Sequence, residues 1–293
     1  MFLIWLTFSF ASTPPPIVNG SYTSDFMAVG AFVQCYGSYG CGSFCSGTLI
    51  APRYVITAAH CVEDLSSYGE YYFLFGNNIG NSDAYGEVID WVAHEGYSGT
   101  NSQTISDDIA VVEINGVFDL ATQQEYNILP ISLNRQEVST RWIGDELQMV
   151  GYGITRTGRE DSGYKRTVDM PIYDFDDQFV YVYDPSEQQN VCSGDSGGAA
   201  LSYQEGGLVL VGVNSFTYGE CETYFAGVAR VDQYTEWIDS KVEYFEQSVI
   251  HPFNTDTYPE NTKKVRAACQ QSMTSQDWWM FFFVFFGLYS RKR

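Results

Sequence analysis

The sequence predicts an all-β fold, either a β-sandwich or a pair of β-barrels. From residue 27 onward, short apolar runs such as 54–56, 71–75 and 208–213 are separated by Gly, Pro, Asn and Asp. Regular turn signals between short runs of this kind are typical of antiparallel strands. Helical periodicity is clear only late in the chain, after Asp232, a residue type that can cap a helix. The apolar residues that share one helical face there are Tyr234, Trp237, Ile238, Val242 and Phe245.

The composition is that of a globular protein with an acidic surface. The chain has 293 residues, of which 45% are apolar, and this is enough for one or two domains with full cores. Its formal net charge is −21. Because phosphate binding requires Lys and Arg, this charge argues against nucleic acids and anionic membrane surfaces as partners. The acidic surface serves solubility in the simplest interpretation, and attraction of basic substrates is the alternative.

The chain begins with an apolar segment that has the features of a signal peptide. Residues 1–11 are almost wholly apolar, with small residues at Ser9 and Ala11, although a basic start is missing. They are too few for a membrane-spanning helix. A truncated or misassembled start is the alternative. The segment predicts a secreted, extracellular protein.

The other end of the chain carries a second apolar segment, 278–289, followed by the basic residues 291–293. Twelve residues span about 18 Å as a helix, less than a bilayer core of about 30 Å, but aromatic and basic flanks suit a membrane interface. Membrane contact through 278–289, and with it a protein anchored at the cell surface, is one interpretation. A GPI signal fits less well, because such tails do not usually end in a basic run. A disordered end is the alternative.

A glycine-rich loop, 192–198, contains the strongest candidate for chemistry. Its sequence Cys-Ser-Gly-Asp-Ser-Gly-Gly places Ser196 after an aspartate and among glycines, which let another molecule approach backbone N–H groups. A serine hydroxyl is a poor nucleophile unless a base and an orienting third group lie beside it. Both residue types occur upstream, as His60 in Thr-Ala-Ala-His-Cys and as Asp108 at the head of an apolar run.

These three motifs, in the order His, Asp, Ser, resemble the chymotrypsin/trypsin family of serine proteases over roughly residues 17–245. The resemblance implies two six-stranded Greek-key β-barrels, with the change of barrel near residues 120–140. It places the active site in the cleft between the barrels and a helix at the end of the domain. Residues 246–293 then form an extension beyond the family domain.

The resemblance also implies a role for each motif residue. Ser196 would attack the scissile carbonyl, His60 would carry the proton, and Asp108 would orient the imidazole. The backbone N–H groups of Gly194 and Ser196 would form the oxyanion hole. Asp107 is the rival of Asp108, but the family places its acid immediately before the apolar pair, which favours Asp108.

Seven cysteines indicate an oxidising compartment. The resemblance implies the disulfides Cys45–Cys61 and Cys192–Cys221. Cys35 and Cys41 lie close enough in sequence to close a short loop, which leaves Cys269 over. Free buried thiols are the alternative for these last three cysteines. No Cys or His cluster has zinc-like spacing, so we expect neither a metal nor a cofactor.

Ile17 resembles the first residue of the family's mature chain, which makes 12–16 a very short propeptide. In the family, the freed amine of this residue pairs with the aspartate before the nucleophile, here Asp195. Family precursors usually carry Arg or Lys before the isoleucine, whereas this chain has Pro16. The route of processing stays open, and we expect activity to require a free amine on Ile17.

The residues that contact substrate are assigned by the same resemblance. Asn190 would form the floor of the primary pocket, and Ser215–Thr217 the strand that pairs with the substrate backbone. In that strand Phe216 replaces the usual Trp, and Thr217 replaces a frequent Gly and narrows one wall. Gly227 would keep the other wall open. A polar floor and a narrowed wall predict preference for uncharged, small to medium side chains; the alternative is that Asn190 only fills a turn.

The sequence as a whole predicts a secreted serine endopeptidase that acts on proteins or peptides. Protein inhibitors are further candidate partners. The alternative is a non-catalytic protease homologue that acts as a binding or inhibitory module. The intact candidates His60, Asp108 and Ser196 argue against this alternative, and the missing basic residue at Pro16 argues mildly for it.

Overall fold

The computed structural model describes residues 16–99, 104–115, 125–183, 189–221 and 225–248. Several sequence expectations concern segments outside these residues. They are the signal peptide 1–11, nearly all of the propeptide 12–16, nearly all of the extension 246–293, Cys269, and the apolar segment 278–289.

Six antiparallel strands of the N-terminal half close into the first barrel, in the order β2-β3-β4-β7-β6-β5. These strands are β2 (Val29–Cys35), β3 (Cys41–Ala51), β4 (Tyr54–Thr57), β5 (Glu70–Phe75), β6 (Ala84–Ala93) and β7 (Ala110–Asn115). Residues with β-branched or aromatic side chains fill them, as in β4, where all four residues are buried.

The second barrel is a closed ring of six antiparallel strands in the order β9-β10-β11-β14-β13-β12, completed by pairing of β12 with β9. Two short strands extend it, β1 (Ser21–Tyr22) beside β10 and β8 (Ser132–Leu133) beside β13. The ring strands are β9 (Glu146–Gly151), β10 (Arg166–Phe175), β11 (Phe179–Val182), β12 (Ala199–Gln204), β13 (Gly207–Thr217) and β14 (Ala226–Arg230). The all-β prediction of two six-stranded barrels is confirmed.

Short 3-10 turns and one helix complete the described chain. The 3-10 turns are Gly37–Tyr39, Ala59–Cys61, Ile79–Asn81 and Thr140–Trp142, and the helix is α1 (Thr235–Ser248). The first element, Pro16–Asn19, is a kinked turn, because Ile17 has φ 42° and ψ 147°. No helix in the described ranges is long and apolar enough to cross a bilayer.

The helix starts later than the sequence predicts, and Asp232 does not cap it. The Asp232 carboxylate is 2.6 Å from Arg230 Nη2 and accepts a hydrogen bond from the Val138 N–H. The Asp232 carboxylate pairs with Arg230 and does not cap the helix, because leaving the buried Arg230 unpaired would be costly. The helix therefore begins at Thr235, with Ile238 buried against the barrels.

Candidate active site

Pairing of β4 with β7 brings His60 and Asp108 together. Thr57 at the end of β4 lies opposite Ala110 at the start of β7. His60 follows β4 in the turn Ala59–Cys61, and Asp108 precedes β7 by two residues. Both side chains therefore emerge at the same end of the first barrel.

The imidazole of His60 is held by the buried carboxylate of Asp108. His60 Nδ1 lies 2.9 Å from Asp108 Oδ2, and the His60 backbone N–H donates to Asp108 Oδ1 at 3.0 Å. Ser215 Oγ, from the second barrel, donates to Oδ2 at 2.5 Å. A carboxylate at Nδ1 favours the tautomer with the proton on Nδ1, which leaves Nε2 as the acceptor.

Asp107 points to a different set of partners. It has φ 51°, and its Oδ1 accepts from the Tyr234 hydroxyl at 3.0 Å and lies 3.6 Å from His94 Nδ1. Burial first and the neighbouring Asp107 second raise the pKa of Tyr234 above its ordinary value. Asp107 thus joins the turn before α1 to the first barrel, and it is Asp108 that the structure brings to His60.

The loop that carries Ser196 is fixed by backbone hydrogen bonds. The Gly197 N–H donates to the Asn214 carbonyl at 2.7 Å, and the Ser196 carbonyl accepts from the Ser46 N–H at 2.8 Å. Gly197 has φ +78°, and a Cβ there would lie 2.0 Å from Thr57 Oγ1. A glycine is required at this position, because the loop approaches the first barrel so closely.

The two predicted oxyanion donors lie in the same loop. Gly194 has φ +93°, and a Cβ there would lie 2.9 Å from Gly153 Cα. Neither the Gly194 N–H nor the Ser196 N–H donates to an acceptor within the described parts of the chain. Both donors are therefore available to an oxygen held beside Ser196.

Asp195, in the same loop, is fully buried. Its carboxylate accepts from the Gly153 N–H at 2.7 Å and from the Cys192 N–H at 2.9 Å. Burial raises the pKa of Asp195 to about 6, while these two hydrogen bonds and the charge of Arg166 act in the opposite direction. Asp195 is thus a buried acid whose ionisation depends on the cations near it.

The segment around Ile17 is docked on the second barrel while Pro16 is still attached. Ile17 is buried in an apolar cluster with Leu147. Val18 exchanges two backbone hydrogen bonds with Asn190, of 3.1 and 3.3 Å. The predicted activation partners therefore lie on the same barrel.

A small cavity of about 100 Å³ opens beside Ser196. The predicted substrate residues Ser215, Phe216 and Thr217 line it. The other lining residues are Val191, Cys192, Ser193 and Asn214.

Asn190 and Gly227 are not among the described residues that line this cavity. Asn190 is buried, and its side-chain oxygen accepts from the adjacent Val191 N–H at 2.9 Å. A Cβ on Gly227 would lie 2.3 Å from the Phe216 ring, so this glycine makes room for that ring. Thr217 lies opposite Ala226 in the sheet, which is one residue before the predicted wall.

A larger groove of about 630 Å³ continues from the same strand. It shares Phe216 with the small cavity, and its aromatic side includes Phe179, Tyr181 and Tyr218. Asp176 and Asp177 lie on its exposed rim.

Three disulfides brace the described chain: Cys35–Cys41, Cys45–Cys61 and Cys192–Cys221. The second lies beside His60 and the third at the base of the loop that carries Ser196. Cys45, His60 and Cys61 have their potential ligand atoms within 4.8 Å of one another. Because both sulfurs are oxidised, this trio has no thiolate for a metal.

Three supporting residues were not identified from the sequence: Ser46, Tyr152 and Arg166. Ser46 Oγ donates to the Gly194 carbonyl at 2.8 Å and accepts from the Tyr152 N–H at 3.0 Å. Tyr152 is buried, with its hydroxyl 2.5 Å from the Gly76 carbonyl. The sequence contains one indication of this packing, because Tyr152 stands between two glycines. The structure shows why: a Cβ on either glycine would clash with Asp195.

Comparison with known proteins agrees with this architecture. A family model described as Trypsin matches residues 20–238. The chain is 30% identical to trypsin epsilon of Drosophila erecta over 247 residues, which cover 76% of this chain and 86% of that protein. It is also 30% identical to the CLIP domain-containing serine protease HP8 of Bombyx mori, over 70% of this chain and 63% of that longer protein.

Among solved structures, a human heparin binding protein superposes with a TM-score of 0.63. The superposition covers 78% of this chain and 97% of that protein, at 23% identity, and so shows a shared fold. The family model and the Drosophila relative show membership of a family in addition to the fold. The chain belongs to the trypsin family of serine endopeptidases.

Proposed function

We propose that the protein hydrolyses peptide bonds through an acyl-enzyme formed on Ser196. The observation that carries this proposal is the hydrogen-bonded network of His60, Asp108 and Ser215, which lies beside a loop with two available N–H donors. A base, an orienting acid and an oxyanion site are the groups that a serine nucleophile requires.

Each group has one step in this mechanism. Ser196 Oγ attacks the substrate carbonyl carbon while its proton passes to His60 Nε2. The negative oxygen of the tetrahedral intermediate accepts hydrogen bonds from the N–H groups of Gly194 and Ser196. His60 then returns the proton to the leaving amine as the C–N bond breaks, and water hydrolyses the remaining ester by the same route in reverse. Asp108 stays ionised and stabilises the imidazolium.

The small cavity supports a preference for uncharged side chains of small to medium size at the cleaved bond. No carboxylate is among the described residues that line the cavity, and Thr217 occupies one of its sides. A lysine or arginine would find no acidic partner among these lining residues, and burying an unpaired charge is costly. The larger groove then accepts the preceding residues of the peptide.

The disulfides support a secreted protein, since such bonds persist in oxidising compartments. Protein and peptide substrates follow from the reaction, and protein inhibitors would compete for the same cleft. A membrane-anchored form remains the alternative, tested by detergent partitioning of the full chain against residues 1–245.

The test combines N-terminal sequencing of the secreted protein with digestion of a peptide library. We expect cleavage after uncharged, small to medium residues, and rapid labelling by a fluorophosphonate. A non-catalytic homologue would remain folded but would neither cleave nor be labelled. That result would overturn the proposal.

A further inference from the structure

Arg166 at the start of β10 is a buried cation that contacts the loop beside the nucleophile. Its residue is only 1% exposed. Nη1 donates to the Gly153 carbonyl, and Nη2 donates to the Asp161 carbonyl at 2.6 Å. The Asp161 carboxylate itself is engaged by Thr155, at 2.6 and 3.0 Å. The two terminal nitrogens of the guanidinium therefore donate to backbone carbonyls, while its buried Nε has no hydrogen-bond partner among the described residues.

Two peptide groups lead from this guanidinium to the predicted oxyanion hole. The first peptide accepts from Arg166 at the Gly153 carbonyl, and its Ile154 N–H donates to the Ser193 carbonyl at 2.9 Å. The second peptide accepts at that carbonyl, and its N–H is the Gly194 donor. The charge, two peptides and the oxyanion donor thus form one continuous chain.

Such a chain has two physical effects. A cation at the first carbonyl polarises each peptide in turn, so that the last N–H becomes a stronger donor. The chain also fixes orientation, because rotating the Ser193–Gly194 peptide would break the bond from Ile154 and turn the Gly194 N–H away. Gly153 also connects Arg166 to the Ser196 loop by a second route, because the Gly153 N–H donates to the Asp195 carboxylate.

We propose that Arg166 is a positioning residue of the oxyanion hole, acting through the peptides Gly153–Ile154 and Ser193–Gly194. The inference rests on the proposed peptidase function. A purely structural role for Arg166 would lower the stability of the fold, because its removal leaves the Gly153 and Asp161 carbonyls without this donor, but it would not change kcat and Ki together in a folded variant. The rings of Tyr22 and Tyr164 lie 5.3 and 5.6 Å from the guanidinium carbon and would accommodate an apolar replacement.

The test compares Arg166→Met with a matched control, Lys165→Met. Lys165 is the adjacent residue and is also fully buried. Its ammonium bonds to the Asp25 and Phe26 carbonyls at 3.1 and 3.2 Å, outside the chain of peptides described above. Both variants lose a buried cation with backbone partners, whereas only Arg166→Met also loses the link to Gly194 and the charge that lowers the pKa of Asp195.

Three quantities are measured for each variant on a peptide amide: kcat, KM, and Ki for a peptidyl trifluoromethyl ketone. Ser196 Oγ adds to that ketone, its proton passes to His60, and the resulting oxyanion occupies the hole. We expect Arg166→Met to lower kcat and raise Ki by a similar factor of roughly 10–100, somewhat less than loss of a whole donor. KM should change less than about twofold, and Lys165→Met should leave kcat and Ki within about threefold.

Arg166→Lys and Arg166→Gln make the test independent of the folding of the methionine variant. Lysine keeps a charged donor for Gly153, so we expect it to retain more of kcat than glutamine does. Equal kcat and Ki in folded Arg166 variants and the wild type, or equal losses in Lys165→Met, would overturn the proposal. An inactive, unlabelled wild type would instead overturn the peptidase function itself.

Discussion

The two halves of the candidate site are held in different ways. His60 and Asp108 are placed by the pairing of β4 with β7, and their contacts join side chains. The Ser196 loop is held mainly by backbone hydrogen bonds, by glycines with positive φ, and by the buried acid Asp195. The first half follows from barrel topology, whereas the second also depends on buried charge. Mutations in the two halves should therefore differ in how they depend on pH and on chain processing.

The largest effect should come from Ser196→Ala. Removal of the nucleophile should lower kcat by roughly a factor of a million, with little loss of stability, by analogy with deletions of one triad member. Hydrolysis of a peptide amide by the purified variant, at matched thermal stability, is the measurement. Turnover comparable to that of the wild type would show that another group is the nucleophile.

Asp108→Asn should come next, with Asp107→Asn as its matched control. The amide at position 108 favours the wrong imidazole tautomer, and kcat should fall by about ten-thousandfold. The amide at position 107 can still accept from Tyr234, so kcat should stay within about threefold. Steady-state kinetics of both variants rank the two acids, and the opposite ranking would reject the present choice.

Cleavage before Ile17 should stabilise the protein in a pH-dependent way. The folded-state pKa of Asp195 is about 6, above its ordinary value of 3.8, so the acid stabilises the fold at low pH and this contribution is lost as pH rises through about 6. Above that pH a carboxylate is buried, and a free amine on Ile17 can pair with it. Below about pH 4 Asp195 is protonated, so a free amine on Ile17 adds little stability.

An engineered cleavage site at the 16–17 bond provides the measurement. Cut and uncut chains should differ in Tm more at pH 8 than at pH 4, and the cut chain should hydrolyse a small ester faster at pH 8. Asp195→Asn is the control that should abolish the pH dependence of the difference. Equal Tm differences at both pH values, or equal ester hydrolysis by both chains, would contradict this role for Ile17.

The smallest effect should come from Thr217→Gly. Thr217 lies on one side of the small cavity, so its removal should raise kcat/KM for a large apolar side chain by roughly tenfold, within the range for a methylene-scale change in a pocket. A substrate with alanine at that position is the internal control and should change less than about threefold. A uniform change for both substrates would show that Thr217 does not limit pocket size.

Much of the fold could be predicted from the sequence, because local patterns determine it. Turn residues between short apolar runs predicted the β class, and the family motifs predicted two barrels. The placement of Gly227 opposite Phe216 could not be predicted, because the register between β13 and β14 depends on long-range pairing, and a shift of one residue moves a side chain to the other face.

Residues whose role depends on distant partners could not be predicted. The acid–cation pairing of Asp232 with Arg230 was missed in favour of a helix cap, since both roles use the same side chain. Arg166 gave no signal at all, because a single basic residue at the start of a strand reveals neither its burial nor its backbone partners. The role of Asp107 in holding Tyr234 was likewise visible only after α1 packed on the first barrel.

The central claim is that Ser196 forms a covalent acyl-enzyme, and trapping that intermediate tests it most directly. The protein is mixed with a nitrophenyl ester of an uncharged amino acid, quenched in acid within the first turnover, and analysed by peptide mass spectrometry. We expect a burst of about one equivalent of nitrophenol, with the acyl mass on the peptide that contains Ser196. Release of nitrophenol with the acyl group on another residue, or with no acyl group bound, would contradict the account.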